Sequence, residues 1–309
     1  MATITAAMVK ELREKSGAGM MDCKTALNEN DGDLDAAIDW LRTKGLATAA
    51  KKAGRIASEG LVGVSVDGPN GAVVEVNSET DFVARNVEFQ GMVTTISGLG
   101  LEAGGDKNAL SALTYPGSEK NVEDYVTEMV ATIGENMSLR RTDSISVDEG
   151  VVSFYIHNQI ASGLGKIGVL VGLKSSGDTD KLDALGKQVA MHIAATNPLS
   201  LSLDELSADV IEREKAVLIE QARDSGKPDN IIEKMIEGRM RKYYQEVVLL
   251  SQTFVIDGEN TVEKALKLAE ADVGAPIEIV KFVRFELGEG IEKKEEDFAA
   301  EVAAAASGS

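Results

Sequence analysis

The chain has 309 residues, enough for two or three domains with sizeable cores. Its 51 Asp and Glu against 32 Lys and Arg leave a net charge of −19, which repels phosphate backbones and argues against direct nucleic-acid binding. Cys23 is the single cysteine, no signal-peptide pattern opens the chain, and no run approaches the ~20 apolar residues of a membrane span, so a cytoplasmic protein is expected.

Residues 1–54 read as a three-helix domain. TAAMVKELREK ends at the breaker SGAG, GMMDCKTALNEN at DGD, and DLDAAIDWLRTK at Gly45, before a helical linker, LATAAKKAGR. Met8 with Leu12, and Ala37 with Leu41, are i,i+4 pairs for a shared core; Trp40 adds bulk and Asp33 is placed to cap the third helix.

From Gly60 the period changes. LVGVSV and AVVEVN flank DGPNG, a hairpin signal. NSETDFVARN follows, where Ser78 and Asp81 have capping-box spacing, so a helix is expected to start near Thr80. A polar, glycine-containing stretch fills 103–119, VEDYVTEMVATIGEN is helical and SLRRTDSISV extended, which makes 55–147 one core subdomain.

The pattern then recurs. VVSFYIHNQ and KIGVLVGLK read as a second strand pair, followed by the helix DKLDALGKQVAMHIAAT, stopped at Asn197-Pro198. Hairpin-then-helix appearing twice implies an α+β fold with a duplicated core and antiparallel sheets, the second copy at 148–202 and 252–288. Residues 203–251 interrupt it with two helical runs separated at Ser225-Gly226-Lys227-Pro228. Ile232, Met235, Ile236, Met240, Tyr243 and Val247 form a stripe facing Val217, Leu218 and Ala222, the pattern of an antiparallel helical hairpin. The helix TVEKALKLAEAD and the strand IEIVKFVRFELGEG return to the core. Residues 289–309 form a short C-terminal module, with Phe298 and Val302 at i,i+4 in its tail.

Chemistry is hard to find. GLGKIG at 163–168 satisfies G-x-G-x-x-G, but a dinucleotide site needs those glycines to open a helix, and VLVGL reads as strand. His157, His192 and Cys23 make no closed zinc site by themselves, Cys23 and His192 read as packed residues, and His157 as a surface or interface residue at a strand end. Lys51-Lys52 with Arg55, and Arg140-Arg141, are short runs that read as solvated surface. No cofactor, metal or catalytic constellation is expected, and the protein is not expected to be an enzyme.

Asp81 and Phe82 remain open on the residues alone. Phe82, Phe89, Val93 and Ile96 fall within about 60° of one another at about 100° per residue, which puts Phe82 in a core stripe. Its place straight after a strand, where function concentrates, points instead to an exposed probe.

TAAMVKELREKSGAGMMDCKTAL, NSETDFVARN, IGENMSLRR, VAMHIAATNP, SGKPDNIIEKMIEGRM and FVRFELGEGIEKKEEDFAAEVAA occur in this order, nearly end to end. In them the chain resembles the bacterial elongation factor Ts family, guanine-nucleotide exchange factors for elongation factor Tu. The resemblance implies a ubiquitin-associated-like N-terminal domain, two related core subdomains, a protruding hairpin that permits a homodimer without requiring one, and a C-terminal module. It implies that Asp81 and Phe82, flanked by Thr80 and Val83, wedge into the partner's nucleotide-binding domain near its magnesium and phosphate site. It further implies partner contacts at Lys24, Ile133, His157, Val255 and Ile256, some of them to a second domain of the partner, with Phe298 anchoring the tail. An adaptor built on the N-terminal helices would leave some 250 residues unexplained, and an enzyme using GLGKIG would bind nucleotide by itself.

Overall fold

The computed structural model describes residues 4–16, 18–223 and 228–292. It opens with α1 Ala6–Ser16, α2 Met20–Glu29 and α3 Leu34–Lys52. Leu12, Cys23, Ala26, Leu27 and Ala37 form their buried core, with Met8, Trp40 and Leu41 packed around it. The Asp33 carboxylate accepts the Ala36 N–H, the cap expected from sequence. Gly45 does not stop α3. A glycine inside a helix costs about 1 kcal/mol relative to alanine, and here its missing side chain allows close docking. A Cβ at Gly45 would lie 3.2 Å from the Ala131 Cβ on the helix Val122–Ile133. The expected linker is therefore the second half of one helix, and it carries Ala49 onto the next core.

Two antiparallel sheets follow. β1 Glu59–Asp67 and β2 Asn70–Ser78 form the expected hairpin, and β3 Met137–Ser146 flanks β2. β4 Gly150–His157 lies in the second sheet, but the next strand, β5 Leu164–Gly165, pairs with β1. With β6 Ile167–Lys174 and β7 Glu278–Glu286, the sheet orders are β3-β2-β1-β5 and β4-β6-β7. Two residues from within 148–202 thus complete the first sheet. GLGKIG is strand and crossover, as its neighbours suggested. A Cβ at Gly165 would lie 2.4 Å from the Ile156 Cγ2, and one at Gly168 2.6 Å from the Val62 Cγ1, so close sheet packing accounts for both glycines.

Strand alternation sets the layers. Leu61, Val74 and Val76 pack with Phe89, Val93 and Ile96 of α4 Val87–Ala103, with α5 Lys107–Ala112, and with Val126 and Val130 of α6 Val122–Ile133. Val62, Val64 and Val73 face the opposite way and meet Val152, Leu170, Val283 and Phe285 of the second sheet. Val169, Val171 and Leu173 in turn cover Val189 and Ile193 of α7 Thr179–Thr196. The order is helices, sheet, sheet, helices. Coverage of both faces explains why β2 is buried from Gly71 to Ser78.

The repeat extends further than hairpin and helix. In the first half the Tyr115 N–H donates to Lys120 O and the Val122 N–H to Leu113 O, before α6 and then β3. In the second the Phe254 N–H donates to Asn260 O and the Val262 N–H to Gln252 O, before the helix Val262–Val273 and then β7. The 103–119 stretch is thus structured. Asp106 caps α5, and buried Tyr115 stacks on Tyr125 with ring centroids 3.6 Å apart.

The hairpin consists of α8 Ala208–Arg223 and α9 Asp229–Val247, ahead of α10 Val262–Val273. Leu218, Ala222, Ile232, Ile236 and Met240 are buried between its arms. Val217, expected on that face, is exposed, because its neighbour Leu218 takes the inward place. The base of the hairpin is tied to the core where the Leu199 N–H meets Val247 O and the Leu249 N–H meets Ser200 O.

Arg140 and Arg141 are not solvated surface. They bracket the fully buried Glu75, at 2.9 Å and 2.6 Å, and the Gly288 N–H donates to the same carboxylate at 2.9 Å. Burial pushes the Glu75 carboxyl up, but these donors, with Asn77, outweigh it and hold the group below its ordinary value of 4.5. Gly288 has a φ of 72°, and a Cβ there would lie 2.4 Å from Ser58 O, so glycine alone fits. The turn after the last strand is thereby fastened to β2.

Candidate partner-binding site

The segment between β2 and α4 carries the most exposed aromatic side chain among the described residues. The expected capping box does not form. The Ser78 hydroxyl donates to Thr80 O, the chain bends through Glu79 and Thr80, and one 3₁₀ turn spans Val83–Arg85. The long helix starts only at Val87, where the Asn86 side chain accepts the Glu88 and Phe89 N–H groups. Because the helix is not continuous back to Thr80, the computed stripe breaks. Phe89, Val93 and Ile96 are fully buried, whereas Phe82 is 75% exposed. Asp81 is exposed beside it. Val83, expected to touch a partner, is instead buried with Ala84 in the first core, and anchors the turn from below.

The turn is gripped from the far side by the loop after α6. The Glu135 carboxylate accepts the Thr80 N–H at 2.9 Å and the Thr80 hydroxyl at 2.6 Å. Reciprocally, the Glu79 carboxylate accepts the Asn136 N–H at 2.6 Å. Arg55 pairs with Glu79 at 3.3 Å while its own carbonyl accepts the Asn136 amide, and Lys52 donates to Gly134 O. Lys52 and Arg55 are therefore part of this clasp and not merely solvated. Ile133, the last residue of α6, is half-buried against the first core and lies next to the clasp. VEDYVTEMVATIGEN, expected to be helical throughout, is helix only to Ile133, and the grouping of Glu79, Glu135 and Asn136 leaves no local signal because the partners lie more than fifty positions apart.

The remaining candidates sit on other elements. Lys24 is exposed on α2, with Met20 and Met21 beside it at 61% and 71% exposure. His157 ends β4 exposed, its Nδ1 3.3 Å from the Tyr155 hydroxyl. Val255 and Ile256 form the exposed tip of the loop before α10, directly after buried Phe254. Phe298 lies outside the described residues. A groove between Leu201, Leu250, Leu266 and Ile279 contains none of these candidates. The exposed candidates project from separate elements, an arrangement suited to a macromolecular partner.

A sequence model of the family described as "Elongation factor TS" matches residues 79–289, beginning at the first residue of the clasped turn. The chain belongs to this family. It is 67% identical over 308 residues, all of both chains, to elongation factor Ts of Parvibaculum lavamentivorans. It is 63% identical over 305 residues to elongation factor Ts of Rhodospirillum rubrum, covering 98% of this chain and 99% of that one. To elongation factor Ts of Rhizobium etli strain CFN 42 it is 62% identical over 308 residues, again all of both. Membership in the elongation factor TS family makes it a translation elongation factor. Among the described residues no helix is long and apolar enough to cross a membrane, and no group of three or more His, Cys, Asp or Glu could hold a metal ion.

Proposed function

We propose that this protein accelerates GDP release from elongation factor Tu by inserting the Asp81–Phe82 turn near the magnesium and phosphate site of that partner's nucleotide-binding domain, after which GTP rebinds. Family membership supports the coarser part, a nucleotide-exchange role on elongation factor Tu. The observation that carries the finer part is Phe82 itself, a large ring left 75% exposed on a turn held at its start through Glu79 and Thr80 and followed by the helix that Asn86 caps. Holding the ring out in advance lowers the ordering cost of docking it. The Asp81 carboxylate beside it offers acceptor oxygens, which compete for a cation and repel phosphate oxygens.

Thermodynamic linkage constrains the mechanism. If the factor weakens nucleotide binding, nucleotide weakens factor binding by the same ratio. A change of about 10⁴ needs about 5.5 kcal/mol of differential interaction. Interface anchors supply roughly 2–4 kcal/mol each when truncated, so a few suffice in scale. On this reading Lys24, Ile133, His157, Val255 and Ile256 supply affinity and orientation, while Asp81 and Phe82 act on the nucleotide site. No bond in GDP is made or broken.

Stopped-flow release of a fluorescent GDP analogue from elongation factor Tu tests this. Wild-type protein should accelerate release, and Phe82→Ala should reduce the maximal rate at least tenfold while staying folded. Unreduced acceleration in the variant would refute the wedge. No acceleration by the wild type would refute the exchange role.

A further inference from the structure

His192 is fully buried in the middle of α7, where a packing role would be the plain expectation. Its hydrogen bonds are directional. The Gln252 amide nitrogen donates to Glu246 O at 2.7 Å, which turns the Gln252 Oε1 toward the imidazole. That oxygen lies 2.9 Å from His192 Nε2, so Nε2 carries the proton and donates it. Nδ1 is then free to accept, and it receives the Val255 N–H at 3.3 Å. Thr196 steadies the arrangement, its hydroxyl 3.0 Å from Gln252 Oε1 and 2.9 Å from His192 O. The Phe254 ring packs against the imidazole, with centroids 5.6 Å apart.

We infer that His192 is a positioning residue for partner binding, holding the Val255 amide so that the Val255–Ile256 tip is presented in one fixed place. The inference rests on the proposed contact between that tip and elongation factor Tu. The repeat supports it. The first half builds the same loop with the same backbone closures, but Leu113 stands where the second half has Gln252, and its tip is Pro116-Gly117. The polar arm occurs in the half whose loop ends in two exposed aliphatic side chains. Loop closure alone does not need it, since the first half closes without it.

The test follows GDP-analogue release against factor concentration, which separates the half-saturating concentration from the maximal rate. His192→Gln keeps an amide in reach of Gln252, whereas His192→Asn places its amide oxygen where Nδ1 accepts from Val255. His192→Gln should raise the half-saturating concentration about fivefold, the scale of one hydrogen bond, and leave the maximal rate unchanged. His192→Asn should restore most of that loss. Adding His192→Gln to a Val255→Ala, Ile256→Ala background should add little. Equal effects of Asn and Gln, or full additivity with the loop changes, would overturn the proposal. So would an unchanged half-saturating concentration in the loop variant. Failure of the wild type to accelerate release would instead overturn the exchange role, and is read without any variant. Nitrogen NMR of the wild-type ring needs no substitution at all. The Nε2-protonated tautomer is expected, and the opposite tautomer would refute the arrangement even if every variant unfolds.

Discussion

The two halves of the core share a plan and differ in where they expose apolar side chains. Each runs hairpin, helix, closed loop, helix, strand, and each buries one aromatic in its loop, Tyr115 in the first and Phe254 in the second. The first half projects its aromatic from the strand-to-helix junction, at Phe82, and keeps its loop tip as Pro116-Gly117. The second has only a short junction between β6 and α7, and projects Val255 and Ile256 from the loop instead. Their supports differ as well. The junction is held by carboxylates, Glu79 and Glu135, and the loop by a neutral imidazole. A duplicated scaffold thus supplies equivalent positions, and the connecting segments decide which of them reaches outward.

The largest expected effects test whether each projection is separable from its core. Phe89→Ala should cost about 3–5 kcal/mol in urea unfolding, as a fully buried aromatic, while Phe82→Ala should change stability by less than about 0.5 kcal/mol. Comparable losses would mean that Phe82 belongs to the core. Glu75→Ala strands two guanidinium groups against the sheet and should cost about 3–5 kcal/mol.

Next in size are the kinetic effects, which should differ in kind between halves. Phe82→Ala should lower the maximal rate of GDP release, whereas Val255→Ala with Ile256→Ala should raise the half-saturating concentration by about tenfold, or about 1.4 kcal/mol. Glu135→Gln weakens the hold on Thr80 and should cost about 1 kcal/mol in the same assay, without a matching loss of stability.

Smallest are the effects of pH, which report the halves separately. Burial depresses His192 below its ordinary 6.5, the Gln252 hydrogen bond opposing only in part. The unfolded chain then takes up this proton first, so the contribution of His192 is full above about pH 6.5 and declines as pH falls from there. Glu75 is depressed below 4.5, so its contribution is full above that value and is lost as pH falls through the lower folded value. Urea unfolding across pH 4–8 should show the histidine step, and His192→Asn should abolish it.

Much of the fold was legible because local rules agreed with one another. DGPNG between β-rich runs gave the first hairpin, and Asp33 gave the start of α3. Reading failed where two local signals competed or where a partner was remote. Ser78 with Asp81 describes a helix start near Thr80, but the helix is capped later, at Asn86. The clasp to Glu135 holds the chain bent at Thr80, so the later cap wins. Val217 and Leu218 are adjacent, and periodicity in a short arm does not separate them. A pair such as Arg140-Arg141 defaults to solvent when its carboxylate is encoded 65 positions earlier. The exposure of Phe82 was legible through family likeness, since periodicity alone placed it inside. His192 showed no signal at all, because the loop it holds is 63 positions away.

The Glu75 cluster also bears on how the molecule is made. Its two arginines follow within the same half, but Gly288 is encoded 213 residues later. At roughly 5–20 residues per second, synthesis leaves about ten to forty seconds between the carboxylate and its last donor. In that interval the first half has its sheet hairpin and its helices, while one acceptor at the heart of β2 still waits for the strand end that completes it. The two halves therefore do not mature one after the other like beads on a string. The growing chain closes as a ring, and its first-made half is sealed by nearly the last residue of the core.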